Sequence, residues 1–264
     1  MRLRFLAAAG RGPSFRQLEQ KIACSTGENL LKVSSSDALT LWADRQTPIV
    51  HGNAGKSALV GLLFDRASGE PVDRLPSSSD LERLITRDFW GAYVLLTTDG
   101  SSHSVLRDPS AAVPVYCGRA EGLEIYATDA DLLALARPER FRPELDFIRH
   151  WLTFPFLRTW RTGAAGVREL LPGTARRVDS AGEQLIEYWT PSRPARPRPL
   201  VTSLADAAAL LRDEALRTIA RFALAGEEIV LNLSGGLDSS IVAAALAQHI
   251  PMRITAANPI FIVA

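Results

Sequence analysis

Seven consecutive residues, Ser234-Gly235-Gly236-Leu237-Asp238-Ser239-Ser240, carry the clearest chemical signal in the chain. They lie between a short apolar run, residues 229–233, and an alanine-rich stretch, residues 238–248, that holds no helix breaker. The run reads as a buried parallel strand and the stretch as a helix. Glycines in a strand-to-helix turn let backbone approach an anion closely, and the free N–H groups of the helix start point at it. The hydroxyls of Ser234, Ser239 and Ser240 add donors suited to phosphate oxygens. A carboxylate at Asp238 would repel a bare phosphate, so its expected role is to hold Mg²⁺ against the phosphates. The plainer alternative is a Ser/Gly turn capped by an aspartate.

The elements that must position this loop follow from periodicity. Ser203 and Asp206 make a capping-box-like helix start. Leu204, Ala208, Leu211, Ala215, Ile219 and Phe222 then recur every three or four residues, as one helix face should, up to Gly226. Pro251 ends the second helix, and residues 253–256 begin another strand. Helix, strand, glycine turn, helix and strand is how an open α/β sheet starts.

Upstream, residues 191–199 hold four prolines interleaved with arginines, which favour an extended spacer over helix or ladder. Before that spacer the chain reads as hairpins. Phe89–Thr98 is a strand that turns at Asp99-Gly100, with residues 104–107 returning. Residues 113–117 and 123–127 make another pair around Gly118, and residues 79–86 form a short helix. Hairpins with few helices imply a layered α+β domain built on antiparallel sheets. The expected organisation is therefore 1–190, a linker at 191–199, and 200–264.

Composition narrows the function classes. Thirty basic against 29 acidic residues give a net charge of +1 in 264 residues, which offers no global grip on nucleic acid or anionic lipid. Two cysteines, Cys24 and Cys117, make no disulfide framework or CxxC site, and four histidines lack metal-ligand spacing. The apolar run Phe5–Ala9 is too short for a signal-peptide core, and no stretch suffices to span a bilayer. A cytoplasmic protein with reduced thiols is expected. Two tempting signals are set aside. In His51-Gly52-Asn53-Ala54-Gly55-Lys56-Ser57 only two residues separate the glycines, where a Walker A loop needs four before Gly-Lys, so a surface turn is expected. Phe147, Trp151, Phe154, Phe156 and Trp160 could stack bases, but core packing is expected of them, with His150 a satisfied structural histidine.

Residues 234–240 resemble the SGGLDSS pyrophosphate loop of the asparagine synthetase family, whose members adenylate a carboxylate with ATP and release pyrophosphate. Val167-Arg168-Glu169-Leu170-Leu171-Pro172-Gly173, followed by Tyr188-Trp189, resembles the segment that closes the family's N-terminal domain. Arg107-Asp108-Pro109-Ser110 with Val113-Pro114-Val115-Tyr116 resembles an "R-D-x-x-G-x-x-P-x-Y" hairpin of that domain. Ala111 or a neighbour replaces the family's glycine there, so a different turn is expected. The hairpin, and the strand leading into the loop, look most like lasso-peptide macrocyclases.

The resemblance implies an Ntn-hydrolase-like antiparallel α+β sandwich of the amidotransferase kind. An ATP-pyrophosphatase (adenine nucleotide alpha hydrolase-like) α/β domain would then begin. It implies ATP and Mg²⁺ as cofactors, Ser234, Gly235, Gly236, Leu237, Asp238, Ser239 and Ser240 around the phosphates, Asp238 on the metal, and Leu231 to Leu233 near adenine. The substrate would be a small-molecule or peptide carboxylate, possible partners a precursor peptide and its processing protease, with neither nucleic acid nor membrane. Glutamine-hydrolysing members carry a cysteine after the initiator methionine; Arg2 stands there, so no glutaminase is expected. Residues 241–264 contain no Asp, Glu or Lys, whereas the family draws a second carboxylate and a lysine from beyond the loop. A C-terminally incomplete synthetase, inactive alone, is therefore expected. Asparagine synthase, a β-lactam synthetase-like enzyme, and an inactive nucleotide-binding or assembly module are the alternatives.

Overall fold

The computed structural model describes residues 3–10, 13–24, 30–36, 38–52, 55–137, 141–192, 203–224, 229–249 and 254–257. The chain divides into two compact units, one of Met1–Ala67 with Val72–Arg193, the other of Ser68–Pro71 with Pro194–Ala264. Pro191 and Ser192 lie in a turn, and residues 193–199 of the proline-rich spacer fall outside the described residues.

In the first unit the elements run β1 (Phe5–Ala9), α1 (Pro13–Cys24), β2 (Leu30–Ser35), β3 (Leu39–Asp44), β4 (Ile49–His51), β5 (Ser57–Asp65), α2 (Leu81–Asp88) and β6 (Phe89–Thr98). They continue with β7 (His103–Arg107), β8 (Tyr116–Ala120), β9 (Leu123–Ala127), α3 (Ala130–Ala136), α4 (Leu145–Thr153), β10 (Val167–Glu169), β11 (Thr174–Asp179) and β12 (Gly182–Glu187). Two six-stranded sheets result, ordered β10-β8-β9-β1-β3-β2 and β12-β11-β7-β6-β5-β4. Every pairing in them is antiparallel.

Strand alternation sorts the apolar side chains into three layers of core. Phe5, Ala7 and Leu41 of one sheet meet Val60, Val94 and Val105 of the other in the central layer. Leu6, Ala8, Trp42 and Ile125 point the opposite way, onto α1 and α3. Leu59, Leu95 and Leu106 face α2 through Ile85. The unit is thus a helix–sheet–sheet–helix sandwich, the layered antiparallel α+β architecture expected of an Ntn-hydrolase-like domain. The segment Phe5–Ala9, in the sequence only an apolar run too short for a signal peptide, is a central strand buried on both faces.

Local readings shift by small amounts. The α2 helix starts at Leu81 because Asp80 caps it, its carboxylate accepting from Arg83 N at 3.3 Å. The second hairpin turns at Glu121-Gly122, where both residues have positive φ, and not at Gly118, which lies within β8 opposite Ile125. Val113 and Val115, assigned to that strand from sequence, are fully buried loop residues. The Walker-like segment joins β4 to β5, so a strand follows it where a phosphate loop needs a helix; Asn53 and Ala54 lie outside the described residues.

Core packing of the aromatic run is not what the structure shows. Trp151 is 51% exposed on α4, which buries none of its residues, and Phe154 and Phe156 just past its end are exposed by 57% and 97%; Phe147 is half-buried. His150 is no satisfied histidine either: its Nε2 is buried without a hydrogen-bond partner among the described residues, and its ring lies 5.6 Å from that of Phe154.

The hairpin expected to turn differently keeps the backbone a glycine would give. Ala111 has φ 60°. Its N–H donates to Asp108 O at 3.3 Å and its carbonyl accepts from Arg107 Nη2 at 3.1 Å, so neighbours hold a conformation that costs an L-residue roughly 1–2 kcal/mol. Ala111→Gly should therefore raise stability by about 0.5–1 kcal/mol after the glycine's larger unfolded-state entropy is subtracted. A lowered denaturation midpoint would show that the turn is not strained.

In the second unit α5 (Leu204–Leu224), β13 (Ile229–Asn232), α6 (Leu237–His249) and β14 (Ile254–Ala257) follow in order. The two strands pair in parallel, Ile229 opposite Ile254 and Asn232 opposite Ala257. Ala223, Leu246, Ile219, Val242, Ile229 and Leu231 make a small core. The sequence implied a buried strand and a fully used helix face, and both readings need correction. In β13 exposure alternates, with Val230 69% exposed, and on α5 Leu204 and Leu211 are exposed. Among the described residues the helices cover one face of this pair, so only alternate side chains find apolar partners. Gly226 and Pro251 lie outside the described residues.

Candidate functional site

β13 ends at Asn232, and Leu233 N still donates to Ala257 O at 2.8 Å, which fixes where the chain leaves the sheet. Three residues then carry it into α6, with Gly235 at φ 81°, a backbone that strongly favours glycine. The loop curls on its own hydroxyls. Ser234 Oγ lies 3.2 Å from Ser239 Oγ and accepts from Gly236 N at 3.4 Å. Ser239 and Ser240 donate to the Gly236 carbonyl at 3.2 and 2.8 Å. Turning outward as phosphate donors therefore requires these two hydroxyls to rotate, a cheap motion for exposed serines.

Asp238 sits in the first turn of α6, exposed, its carboxylate making no hydrogen bond with the described residues. The structure thus brings Ser234, Gly235, Gly236, Asp238, Ser239 and Ser240 around one helix start, while Leu237 is 76% exposed beside them. Leu231 packs in the small apolar core, so only its backbone is left to meet a ligand; Leu233 is half-buried. No group of three or more His, Cys, Asp or Glu side chains is placed to hold a metal among the described residues. A single carboxylate would suit Mg²⁺ only together with phosphates, since that ion is commonly held by one or two carboxylates plus the phosphates themselves.

The sandwich motifs do structural work. Arg107 is 2% exposed and donates from Nε to Val113 O at 2.8 Å, from Nη1 to Glu169 at 2.8 Å and Leu170 O at 2.6 Å, and from Nη2 to Ala111 O. It therefore ties its own hairpin to the segment at residues 167–173. Pro172-Gly173 and Tyr188-Trp189 close the β11–β12 hairpin: Gly173 O accepts from Tyr188 N and Trp189 N at 2.9 and 3.1 Å. A Cβ on Gly173 would lie 2.6 Å from Trp189 O, which explains the small residue opposite the aromatic pair. Asp108 is fully enclosed, and burial raises its carboxyl above the usual carboxylate range despite donors from Ser110.

Cys117 is buried and its thiol is pushed up to about 12 by desolvation, which leaves almost no thiolate near neutrality. Cys24 is exposed at the end of α1. Arg2, on which the glutaminase expectation rests, lies outside the described residues. Sequence reading missed one polar cluster, in which Arg176 Nη2 meets Glu124 and Glu183 at 2.8 and 3.0 Å and Nη1 donates to the Tyr126 hydroxyl, itself 2.8 Å from His103 Nε2. Its members come from β7, β9, β11 and β12, so no local spacing could announce it.

Fold and loop together define a layered antiparallel α+β domain and a second unit that presents a strand–Gly-turn–helix loop. No protein-family profile matches the sequence, and no curated protein is found similar to it. Among solved structures, the chain is similar to an allosteric regulatory enzyme of purine biosynthesis, at 11% identity and a TM-score of 0.45, over 96% of this chain and 64% of that one. It is also similar to a glutamine phosphoribosylpyrophosphate amidotransferase from B. subtilis solved with ADP and GMP, at 12% identity and 0.39, over 96% and 65%. The chain thus spans less than two thirds of either structure. No described helix is long and apolar enough to cross a membrane.

Proposed function

We propose that this chain provides the amidotransferase-like domain and ATP loop of an amide-forming synthetase of the asparagine synthetase type, most like the macrocyclases that close lasso peptides. In that reaction ATP adenylates a carboxylate of a small molecule or precursor peptide and pyrophosphate leaves. An amine then attacks the acyl carbon, forming the amide and expelling AMP. For a lasso precursor the carboxylate is an Asp or Glu side chain and the amine the peptide's own N-terminus. A cytoplasmic setting, with a precursor-processing protease as partner, belongs to the same reading.

The observation that carries it is the exposed helix start at residues 234–240, with Gly235 at positive φ and three hydroxyls within one turn. There the N–H groups at the start of α6 would bind pyrophosphate oxygens, and Ser234, Ser239 and Ser240 would orient them. Asp238 would hold Mg²⁺, which when bound disperses the polyphosphate's negative charge. Backbone at Leu231 to Leu233 would border adenine. The sandwich, knitted by Arg107 and the Gly173–Trp189 closure, serves as scaffold.

Isothermal titration of the purified chain with pyrophosphate and with ATP, each with and without Mg²⁺, tests this. Binding is expected, with Asp238→Ala weakening the Mg²⁺-dependent part about tenfold while leaving weaker metal-free binding in place. Absence of binding by the folded wild type, or binding indifferent to both Asp238→Ala and Ser239→Ala, would remove the loop from the reaction.

A further inference from the structure

From the start of α4 to Trp160 the sandwich unit leaves most of its large apolar side chains in water. Leu152, Phe154, Phe156 and Leu157 are exposed by 69%, 57%, 97% and 54%, and Leu145, Trp151 and Trp160 are about half exposed. At ~200 Å² for a buried aromatic side chain, the four rings alone offer on the order of 500 Å². The three leucines carry the total toward the ~800 Å² that each partner buries in a standard stable interface. That is more than the ~300–600 Å² of the largest apolar patch on a typical monomer. Charge does not oppose self-association here. Asp146 pairs with Arg149 at 3.4 Å and Glu144 with Arg161 at 3.5 Å, so among the described residues of this segment only the charge of Arg158 is unmatched.

The same unit carries a hole beside this surface. A cavity of about 250 Å³ opens at the edge of the sandwich where β8 and β10 of one sheet face β11 and β12 of the other. Leu170, Leu171 and Cys117 line it, and Trp160 and Leu185, both about half exposed, leave it accessible. The charged side chains of its wall balance, Arg168 and Arg176 against Glu169 and Glu183, so a neutral, apolar occupant suits it. At the ~30 Å³ a water occupies in the liquid, the space takes about eight non-hydrogen atoms, close to one phenylalanine side chain. Phe156, in the segment that ends at Trp160, is almost fully exposed, a knob that its own unit leaves without a hole.

We propose that this surface pairs two copies of the chain about a two-fold axis, Phe156 of each copy entering the cavity between Trp160 and Leu185 of the other. Such a contact is isologous: each copy gives one knob and one hole, and the assembly closes at two. An aromatic anchor seated in a pocket at the centre of an interface is also where binding energy concentrates. All the residues belong to the sandwich unit, so the inference does not depend on the nucleotide loop.

The test is sedimentation velocity of the whole chain across micromolar concentrations, where a monomer–dimer equilibrium with a Kd of about 1 µM or tighter is expected. Phe156→Ala removes the knob and Leu185→Glu puts a charge at the hole. Both positions are exposed, so the fold should survive, which circular dichroism checks. At about tenfold per knob-and-hole pair, each variant loses two pairs and should dimerise about a hundredfold more weakly. Mixing the two variants separates this contact from mere stickiness. Neither variant alone can form an intact pair, whereas a mixed dimer keeps one, Phe156 of the Leu185→Glu chain in the unaltered cavity of the Phe156→Ala chain. The mixture should therefore associate about tenfold more tightly than either variant by itself. A wild type that stays monomeric throughout, or that grows past the dimer, would overturn the proposal. So would dimerisation unchanged in either variant, or a mixture no tighter than its components.

Discussion

Replacing Arg107 by alanine should cost about 3–5 kcal/mol of stability, the range found when one partner of a buried ion pair is removed. Four hydrogen bonds leave with the side chain, and the carbonyls of Val113, Leu170 and Ala111 lose a charged donor. Glu169 loses its partner as well. Water cannot compensate easily, since Val113 and Val115 are fully buried and Leu170 is 4% exposed. Arg107→Lys should recover little, because one ammonium cannot reach acceptors set out around a planar fork. Chemical denaturation followed by circular dichroism measures both variants. A loss under about 1 kcal/mol in Arg107→Ala would mean the hairpin and the 167–173 segment hold together without it.

Acidification should destabilise the sandwich through His103. Burial, reinforced by the positive charge of Arg176, lowers this imidazole to about 4. The ring's Nε2 lies 2.8 Å from the Tyr126 hydroxyl, which itself accepts from Arg176. In the unfolded chain the same histidine titrates near 6.5. Below that pH the unfolded state binds a proton that the folded state refuses. Stability is therefore full above about 6.5, is lost as pH falls toward 4, and levels off below; the total is on the order of 3 kcal/mol. Asp108 acts in the opposite sense, since its raised carboxyl favours the folded state as pH falls. Comparing wild type with His103→Gln isolates the histidine. The difference in unfolding free energy between them should change by a few kcal/mol from pH 7 to pH 4. A pH-independent difference would show that His103 charges freely in the fold.

Much of this protein is written locally. The hairpin at Asp99-Gly100 follows from turn chemistry and alternation, and the helix after Gly236 from an unbroken alanine-rich run, because each depends on neighbours within a few residues. The glycine turn at residues 234–240 was legible for the same reason: its glycines, hydroxyls and carboxylate are contiguous. Exposure was not. The period of α5 marks Leu204 and Leu211 as core positions, yet periodicity states only which residues share a face, not whether another layer covers it. Trp151 of α4 is solvent-exposed for that reason, and Phe5–Ala9 is central because strands from positions 39–44 and 123–127 flank it. Ala111 takes a glycine's conformation because Arg107 and Asp108 hold it there, at a cost no propensity scale contains. The Arg176 cluster and its cavity exist only through register. Sequence fixes the residue types, and the pairing of β7, β9, β11 and β12 across two sheets brings one guanidinium, two carboxylates, a phenol and an imidazole within hydrogen-bonding distance.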